Sequence, residues 1–428
     1  VHITRDDGES WIDVTPPGMP RYATVNRIEI SPHSPARAFL AVQRYRMDDW
    51  RPYIFRTNDY GASWELLTDG TNGIPVDHWT RVVREDDVQP GLLFAGTEFG
   101  VFTSFDDGAH WQPLQLNLPA TPVTDMKVHQ GDLVLSTQGR SFWVLDDLTP
   151  LREMAGAGES TPESPTARLF TPRDVARGRA SPPMSEVDLT LPDPLPEGAL
   201  LSYSLSVEAP DLVLSVLDSG GRTAAEFNGL PNEPGFHRVV WPLRYQMDGG
   251  IKAPPGRYTA RLTWEDGVLE ASFSVLPNPD DPTVSQDDYD EQFRVSMEVY
   301  QTVEEVRGAI SRLRSAKDQA FELVKKVKDA KEPMGELEER ADAMASRFHG
   351  LEAELFPVDD PTVPTGTVRP RGGGLDRDLR TLLNFLNSGG GYGAGGSEGR
   401  PTAGAMERKR DLDSIWAELK PRIDEAVQ

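Results

Sequence analysis

The chain has 428 residues, a formal net charge of −24 and no cysteine. The length exceeds one ordinary core and predicts two or three domains. The charge repels nucleic acid and anionic lipid, and the lack of Cys excludes disulfides, zinc–thiolate centres and Cys nucleophiles.

With 38 glycines, 36 prolines and 38% hydrophobic residues, the composition suits loop-rich β structure with some helix. No apolar run approaches the ~20 residues of a membrane helix. Over residues 1–150, VNRIEI, AFLAVQR, YIFRT, LLFAGT, GVFTSF, DLVLST and SFWVL read as strands between turn residues. Residues 154–184, opening with the Pro/Ser/Thr/Glu-rich MAGAGESTPESPTARLF, read as a linker. Residues 185–277 resume β character in LLSYSLSV, DLVLSVLD, HRVVWPL, GRYTARLTW and LEASFSVL, a length that fits one β-sandwich.

From 285 onward the period becomes helical. Apolar residues from Phe293 to Val327 step by three or four along one long helix, and Leu337 to Leu355 form a second seam. Shorter helices are expected at 375–387 and near 402–427, where Pro421 should kink or interrupt the last one. The glycine tract at 389–399 reads as a mobile loop between them. The fold class is therefore multidomain, mainly β and then a helical bundle over 285–428.

One octet recurs three times: TRDDGESW at 4–11, TNDYGASW at 57–64 and SFDDGAHW at 104–111. The spacing suits one four-stranded propeller blade per copy. Its chemistry is that of a turn. Asp6, Asp59 and Asp106 accept backbone N–H bonds from residues two or three further on. Gly8, Gly61 and Gly108 supply positive φ. Thr4, Thr57, Ser104, Ser10 and Ser63 fix the loop to itself, and Trp11, Trp64 and Trp111 plug the gap between adjacent sheets. Asp7 and Asp107 fall where the middle copy has Tyr60, a swap that a catalytic pair would not tolerate, so Asp107 reads as solvated. His110 stands where the other copies carry a serine.

The octets resemble Asp-boxes, the bacterial neuraminidase repeats of β-propellers. The longer runs AVQRYRMDDWRPYIFRTNDYGASW, LLFAGTEFGVFTSFDDGAHW and STQGRSFWVLDDLTPLRE resemble the C-terminal blades of a bacterial sortilin-like propeller family whose members are often labelled glycosyl hydrolase. The resemblance covers residues 1–153. It departs at Gln138, where the family has His in a His-Gly-Arg run, and at His110, where the box has Thr or Ser. Residues 228–267 are similar to the Ig-like domain of the flagellar hook-capping scaffold protein. The resemblance implies a partial propeller completed by blades upstream of Val1, an Ig-like sandwich, a helical tail, and export to the periplasm or beyond. Val1 itself sits in mid-pattern, as at the start of a processed or truncated piece, and the 428 residues contain no signal peptide.

A glycosidase needs two carboxylates facing across a cleft, and Glu98, Asp48/Asp49 and Asp146/Asp147 are the available ones. Each has a plainer reading as a turn or strand-end residue, so no catalytic set is assigned. A sialidase needs an arginine cluster with a Tyr nucleophile; Arg44, Arg46, Arg81 and Arg140 are present without the matching signature. The seven histidines lack metal-ligand spacing, and no phosphate-binding glycine loop follows a strand, so neither metal nor cofactor is expected. The loop RYRMDDWRPY mixes Arg, Tyr, Trp and Asp and suits peptide or sugar recognition. Arg44, Tyr45, Asp49, Trp50, Trp79, Glu98, Arg140 and Trp143 are the candidate binding residues. The expected function is non-enzymatic binding or scaffolding of a peptide or glycan. The rival is a glycoside hydrolase with carboxylates mostly upstream, and the helical tail is a further candidate for oligomerisation.

Overall fold

The computed structural model describes residues 1–156, 166–178, 198–247, 250–329, 336–355, 374–387 and 399–427, the side chains of 337 and 338 excepted. Much of the expected linker, nearly all of the glycine tract and the Leu337 side chain lie outside the described residues. The rest is mixed sheet and helix, strands first and helices last. It divides into two compact units. The first is Val1–Arg173 with Ser202–Ala209 and Glu233–Arg238, and the second is Asp174–Leu201, Pro210–Asn232 and Val239–Gln428.

The first unit opens with the short pair β1 (His2–Ile3) and β2 (Ile12–Asp13). Two four-stranded antiparallel meanders follow. One is β3 (Thr24–Ile30), β4 (Ala38–Arg44), β5 (Asp49–Thr57) and β6 (Glu65–Leu66); the other is β7 (Thr80–Glu85), β8 (Leu93–Thr97), β9 (Val101–Ser104) and β10 (Gln112–Pro113). A three-stranded meander, β11 (Val123–His129), β12 (Asp132–Thr137) and β13 (Phe142–Leu145), leads into α1 (Thr149–Gly156). The sheets stack face to face, because β4, β5, β8 and β9 carry apolar residues on both faces. Phe39, Ile54, Val83, Leu93, Phe102 and Trp111 fill one interlayer. Val82, Phe94, Val123, Met126, Leu133 and Leu148 fill the next. Leu40, Val42, Tyr53 and Phe55 form a third layer, against which Val1, Met19 and Trp64 pack.

Next come β14 (Ala167–Leu169), β15 (Val175–Ala176), β16 (Ala199–Leu205), β17 (Val213–Asp218), β18 (Thr223–Phe227), β19 (Gly235–Trp241), β20 (Arg244–Tyr245), β21 (Ile251–Lys252), β22 (Gly256–Trp264) and β23 (Gly267–Leu276). The stretch expected to be a linker thus carries α1's last turn, β14 and β15. In the first unit β14 pairs antiparallel with β16, Leu169 opposite Tyr203. In the second, a five-stranded sheet runs β15-β23-β22-β17-β18, with β15 parallel to β23. Trp241 is fully buried there, its ring 5.0 Å from Tyr258 and 6.0 Å from Phe273.

The helices α2 (Gln286–Asp329), α3 (Leu337–Leu355), α4 (Gly374–Asn387) and α5 (Ala403–Val427) complete the second unit, α2 packing against the other three. The buried stripe of α2 ends at Leu313; Phe321 and Leu323 are exposed, so the apolar period continues past the end of its cover. Helix α5 runs through Pro421 without interruption, against the expectation of a break. The lost backbone bond is offset by burial on both sides of it, at Leu412, Trp416, Leu419 and Ile423. Glu305 also accepts bonds from the Trp416 indole and the Lys420 ammonium. Among the described residues no helix is long and apolar enough to cross a membrane.

Candidate functional site

The three octets share one hydrogen-bond pattern. The Thr4 hydroxyl donates to Asp6 and accepts from the Gly8 N–H, each at 2.8 Å. Thr57 and Ser104 repeat both bonds at 2.8 Å toward Asp59 and Gly61, and toward Asp106 and Gly108. Each aspartate accepts the N–H four residues on, a wider loop than the expected two or three: Ser10 at 2.9 Å, Ser63 at 2.8 Å and His110 at 2.8 Å. The second carboxylate oxygen takes the side chain of the same residue: Ser10 Oγ at 2.5 Å, Ser63 Oγ at 2.6 Å and His110 Nδ1 at 2.6 Å. His110 therefore occupies the place of the serine hydroxyl.

Asp7, Tyr60 and Asp107 all adopt left-handed φ, at 56°, 59° and 64°. Aspartate tolerates that region better than most residues, which gives the second acid of the pair a backbone reason. Asp107 keeps 40% of its side chain exposed, and beyond the solvated role expected from the sequence it has ionic partners. It pairs with Arg37 and with Arg56, partners supplied by the neighbouring sheet. Neighbouring layers are also joined through the tryptophans: the Trp64 indole donates to the Val14 carbonyl at 2.7 Å, and Trp111 to Leu67 at 3.1 Å. A Cβ on Gly61 would meet Val14 at 2.8 Å, and one on Gly108 would meet Leu67 at 2.7 Å. Trp11 differs: it is 60% exposed.

The Ser10 hydroxyl and N–H, with the Thr4 hydroxyl, hold the Asp6 carboxyl at about 2, below its ordinary 3.8. Asp59 is lowered in the same way, first by the Ser63 hydroxyl. Burial pushes Asp106 up, but bonds from His110 and Ser104 outweigh it and leave it lowered. A carboxyl depressed by folding contributes stability above its unfolded value and loses it as pH falls through the folded one. The first turn is therefore expected to open between pH 3.8 and about 2, and the other two to loosen below pH 3.8, read as a change in tryptophan fluorescence on acid titration. A flat signal across that range would contradict the assignment.

The antiparallel meanders put the octets at one end of the strands and a different set of loops at the other. The octets connect β5 to β6 and β9 to β10. At the opposite end, the starts of β3, β7 and β11 lie beside the ends of β4, β8 and β12: Thr24 pairs with Gln43, Thr80 with Thr97 and Val123 with Thr137. At that same place each of the three strands carries a β-bulge, with Asn26, Arg81 and Thr124 as the extra residue. Bulges re-aim side chains, and these three line one polar pocket of about 190 Å³ together with Arg27, Val82 and Asp125. The octet acids cannot belong to it.

Arg81 links its own sheet directly to β11–β13 and, through Trp79, to the β3–β6 sheet. Its Nε and Nη2 donate to one Glu98 oxygen at 2.9 and 2.8 Å, and Nη2 reaches Gln138 at 3.4 Å. Its guanidinium lies 4.4 Å above the Trp79 ring, which stacks on Tyr45 at 4.5 Å. Beneath the pocket, Arg84 donates to Asp125 at 2.8 Å and to Glu29, joining β11 to β3. The buried Arg27 Nε, Gln43 Oε1 and Trp79 Nε1 have no hydrogen-bond partner among the described residues.

The other candidate residues fall into different roles. Trp79 is buried, with Tyr45 stacked on its ring, while Trp50 is 44% exposed on the rim. Asp49 is a buried clasp: its oxygens accept from Arg51 at 2.9 and 3.0 Å, Tyr53 at 2.9 Å and Arg44 at 3.1 Å. The Arg51 bonds foremost hold its carboxyl well below the usual range. Burial, with Asp49 beside it, pushes the Tyr53 hydroxyl up to about 12. Arg140 is exposed, and its carbonyl accepts the Trp143 indole N–H at 2.8 Å, which turns Trp143 inward onto the core. Asp147 caps the first turn of α1 through the Thr149 N–H at 3.1 Å. Burial raises Asp146, and the charge of Asp132 adds to it. The bulged Asn26 and Thr124 are absent from the sequence-derived set, since a bulge shows only once strands are paired. Among the described residues no three His, Cys, Asp or Glu side chains group as a metal site requires.

No family model matches the chain, and no curated protein matches it. Similar solved structures include an extracellular domain from B. thetaiotaomicron, described as that of a hybrid two component system, at 12% identity over 59% of this chain and 36% of that one, with a TM-score of 0.21. The GH74 xyloglucanase from Xanthomonas campestris matches at 14% identity over 57% of this chain and 38% of its own, also at 0.21. The GH74 enzyme of Niastella koreensis matches at 10% identity over 59% and 46%, at 0.25. The chain thus spans less than half the length of these structures, and TM-scores of this size carry no argument about its activity.

Proposed function

We propose that the first unit is a partial Asp-box β-propeller of the sortilin-like kind, belonging to an exported bacterial protein, that recognises a peptide or glycan without acting on it. In this reading the meanders are blades, residues 185–277 are an Ig-like sandwich, and 285–428 are its helical companion. The observation that carries the reading is Arg81. Bulged out of β7, it converges with Asn26 and Thr124 on one pocket, contacts Glu98 of its own sheet and Gln138 of the next, and lies on Trp79, whose ring stacks on Tyr45 of the third. The carboxylates around it are each engaged by an arginine: Glu98 by Arg81, Asp125 by Arg84 and Asp49 by Arg44 and Arg51. A general acid needs a carboxyl held protonated near neutral pH, and arginine contacts favour the opposite.

The test is binding of the full chain to a mixed peptide and glycan panel, with reducing-end detection alongside. Arg81→Ala is expected to weaken binding by about tenfold or more, the loss of a charge-assisted bond. Release of sugar by the wild type, abolished by Glu98→Gln, would replace this reading with a glycoside hydrolase.

A further inference from the structure

The two ends of the first unit differ in charge. The octet end carries Asp7, Glu9, Asp59, Glu65, Asp106 and Asp107, with Arg37 and Arg56 held on Asp107 and Arg5 over the Tyr60 ring. The pocket end carries arginines in its hairpin loops. Arg44 and Arg51 share the single carboxylate of Asp49. Arg46, whose Nε donates to the Tyr45 hydroxyl, and the exposed Arg140 have no carboxylate partner among the described residues. The two loops that bear Arg46 and Arg140 flank Arg81, one through the Tyr45–Trp79 stack and the other through Gln138. This end of a chain of net charge −24 thus holds two arginines without a carboxylate partner, with Asp48, which accepts the Trp50 indole N–H, in the same loop as Arg46. Such an arrangement draws an anionic ligand by local field against an unfavourable overall charge.

The pocket itself is polar, with Val82 its one apolar lining residue. Peptide side chains are anchored by apolar or aromatic pockets, whereas sugar hydroxyls are met by Asn, Arg, Thr and Asp. Trp50 stands exposed on the rim, its indole N–H held by Asp48 at 3.2 Å, and presents a ring face to a pyranose.

Resting on the recognition reading above, we propose that this end binds an acidic polysaccharide, one whose sugars carry carboxylates, with hydroxyls in the Asn26–Arg81–Thr124 pocket and carboxylates on Arg46 and Arg140. The probes are tetragalacturonic acid, its fully methyl-esterified form, which is a neutral isostere, and an acidic hexapeptide, each titrated into the full chain. The free acid is expected to bind at least about tenfold more tightly than the ester at low salt, an advantage that shrinks near 1 M salt as charges are screened. The double variant Arg46→Gln/Arg140→Gln is expected to bring acid binding down to the level of the ester, and Arg81→Ala to weaken both. Equal binding of acid and ester, both lost in Arg81→Ala, would overturn the charge preference and keep the site. Binding of the hexapeptide in place of either sugar would overturn the ligand class. Binding indifferent to Arg81→Ala, or no binding by any probe, would overturn the site reading itself.

Discussion

Replacing Trp111 with Ala is expected to destabilise the first unit by about 3–5 kcal/mol, the usual cost of emptying a buried tryptophan site. The ring is 4% exposed and lies in the layer with Phe39, Ile54 and Val83. Its N–H closes on the Leu67 carbonyl of the preceding sheet, so the substitution also removes a bond between layers. Trp11→Ala provides the contrast. The same octet position is 60% exposed there, and surface changes of that kind stay within about 0.5 kcal/mol. Thermal unfolding of the two variants, followed by near-UV circular dichroism, measures the difference. Equal shifts would mean that the octet tryptophans act within their own turns and do not join layers. Gly108→Ala is expected to destabilise by less, about 1–3 kcal/mol, because its φ of 89° strains any residue with a Cβ and the end of the Leu67 side chain, 2.7 Å from the new Cβ, must shift.

What the sequence makes legible here is what the chain decides locally. The octet turn depends on contacts two and four residues apart, so its glycine, its aspartate and its hydroxyl residues can be assigned from the letters alone. The strand-then-helix order follows from a change of period from two to near 3.6 and is equally plain. The partners of Asp107 are different. Arg37 and Arg56 lie 70 and 51 residues away and reach it only because two sheets stack in one particular register. The pocket is hidden for the same reason: Asn26, Arg81 and Thr124 share no motif, and only paired strands reveal them as the extra residues. Trp79 looks like a binding residue by composition, yet it is covered, because Tyr45 and Arg81 lie on its ring. Pro421 shows the converse. A local rule that would end a helix is overridden by burial on either side of it.

Arg84→Met is expected to cost about 3–5 kcal/mol at neutral pH, the range for removing one partner of a buried ion pair. Arg84 is 7% exposed and holds Glu29, Asp125 and the Met126 carbonyl at once, so β3, β7 and β11 lose their shared ionic centre together. The dominant loss falls on Glu29. Burial already raises its carboxyl above the ordinary value of 4.5, with the Arg84 charge working against that rise. Taking Arg84 away leaves burial opposed only by the charge of Arg27 and raises it further. A carboxyl raised by folding stabilises fully below its unfolded value and loses that contribution as pH rises through the folded one. The penalty of Arg84→Met is therefore expected to be largest near pH 7 and to shrink below pH 4.5, where Glu29 is protonated. Chemical unfolding of wild type and variant at both pH values measures this directly. Adding Glu29→Gln to Arg84→Met should recover about 1–3 kcal/mol at pH 7, because a neutral amide replaces the stranded charge. A penalty independent of pH would instead place the cost in the packing of the guanidinium stem. The pocket above this centre follows the same logic: Asp125 lines it, and its carboxylate is aimed by Arg84. Ligand affinity in Arg84→Met is thus expected to fall even under conditions where the fold is retained.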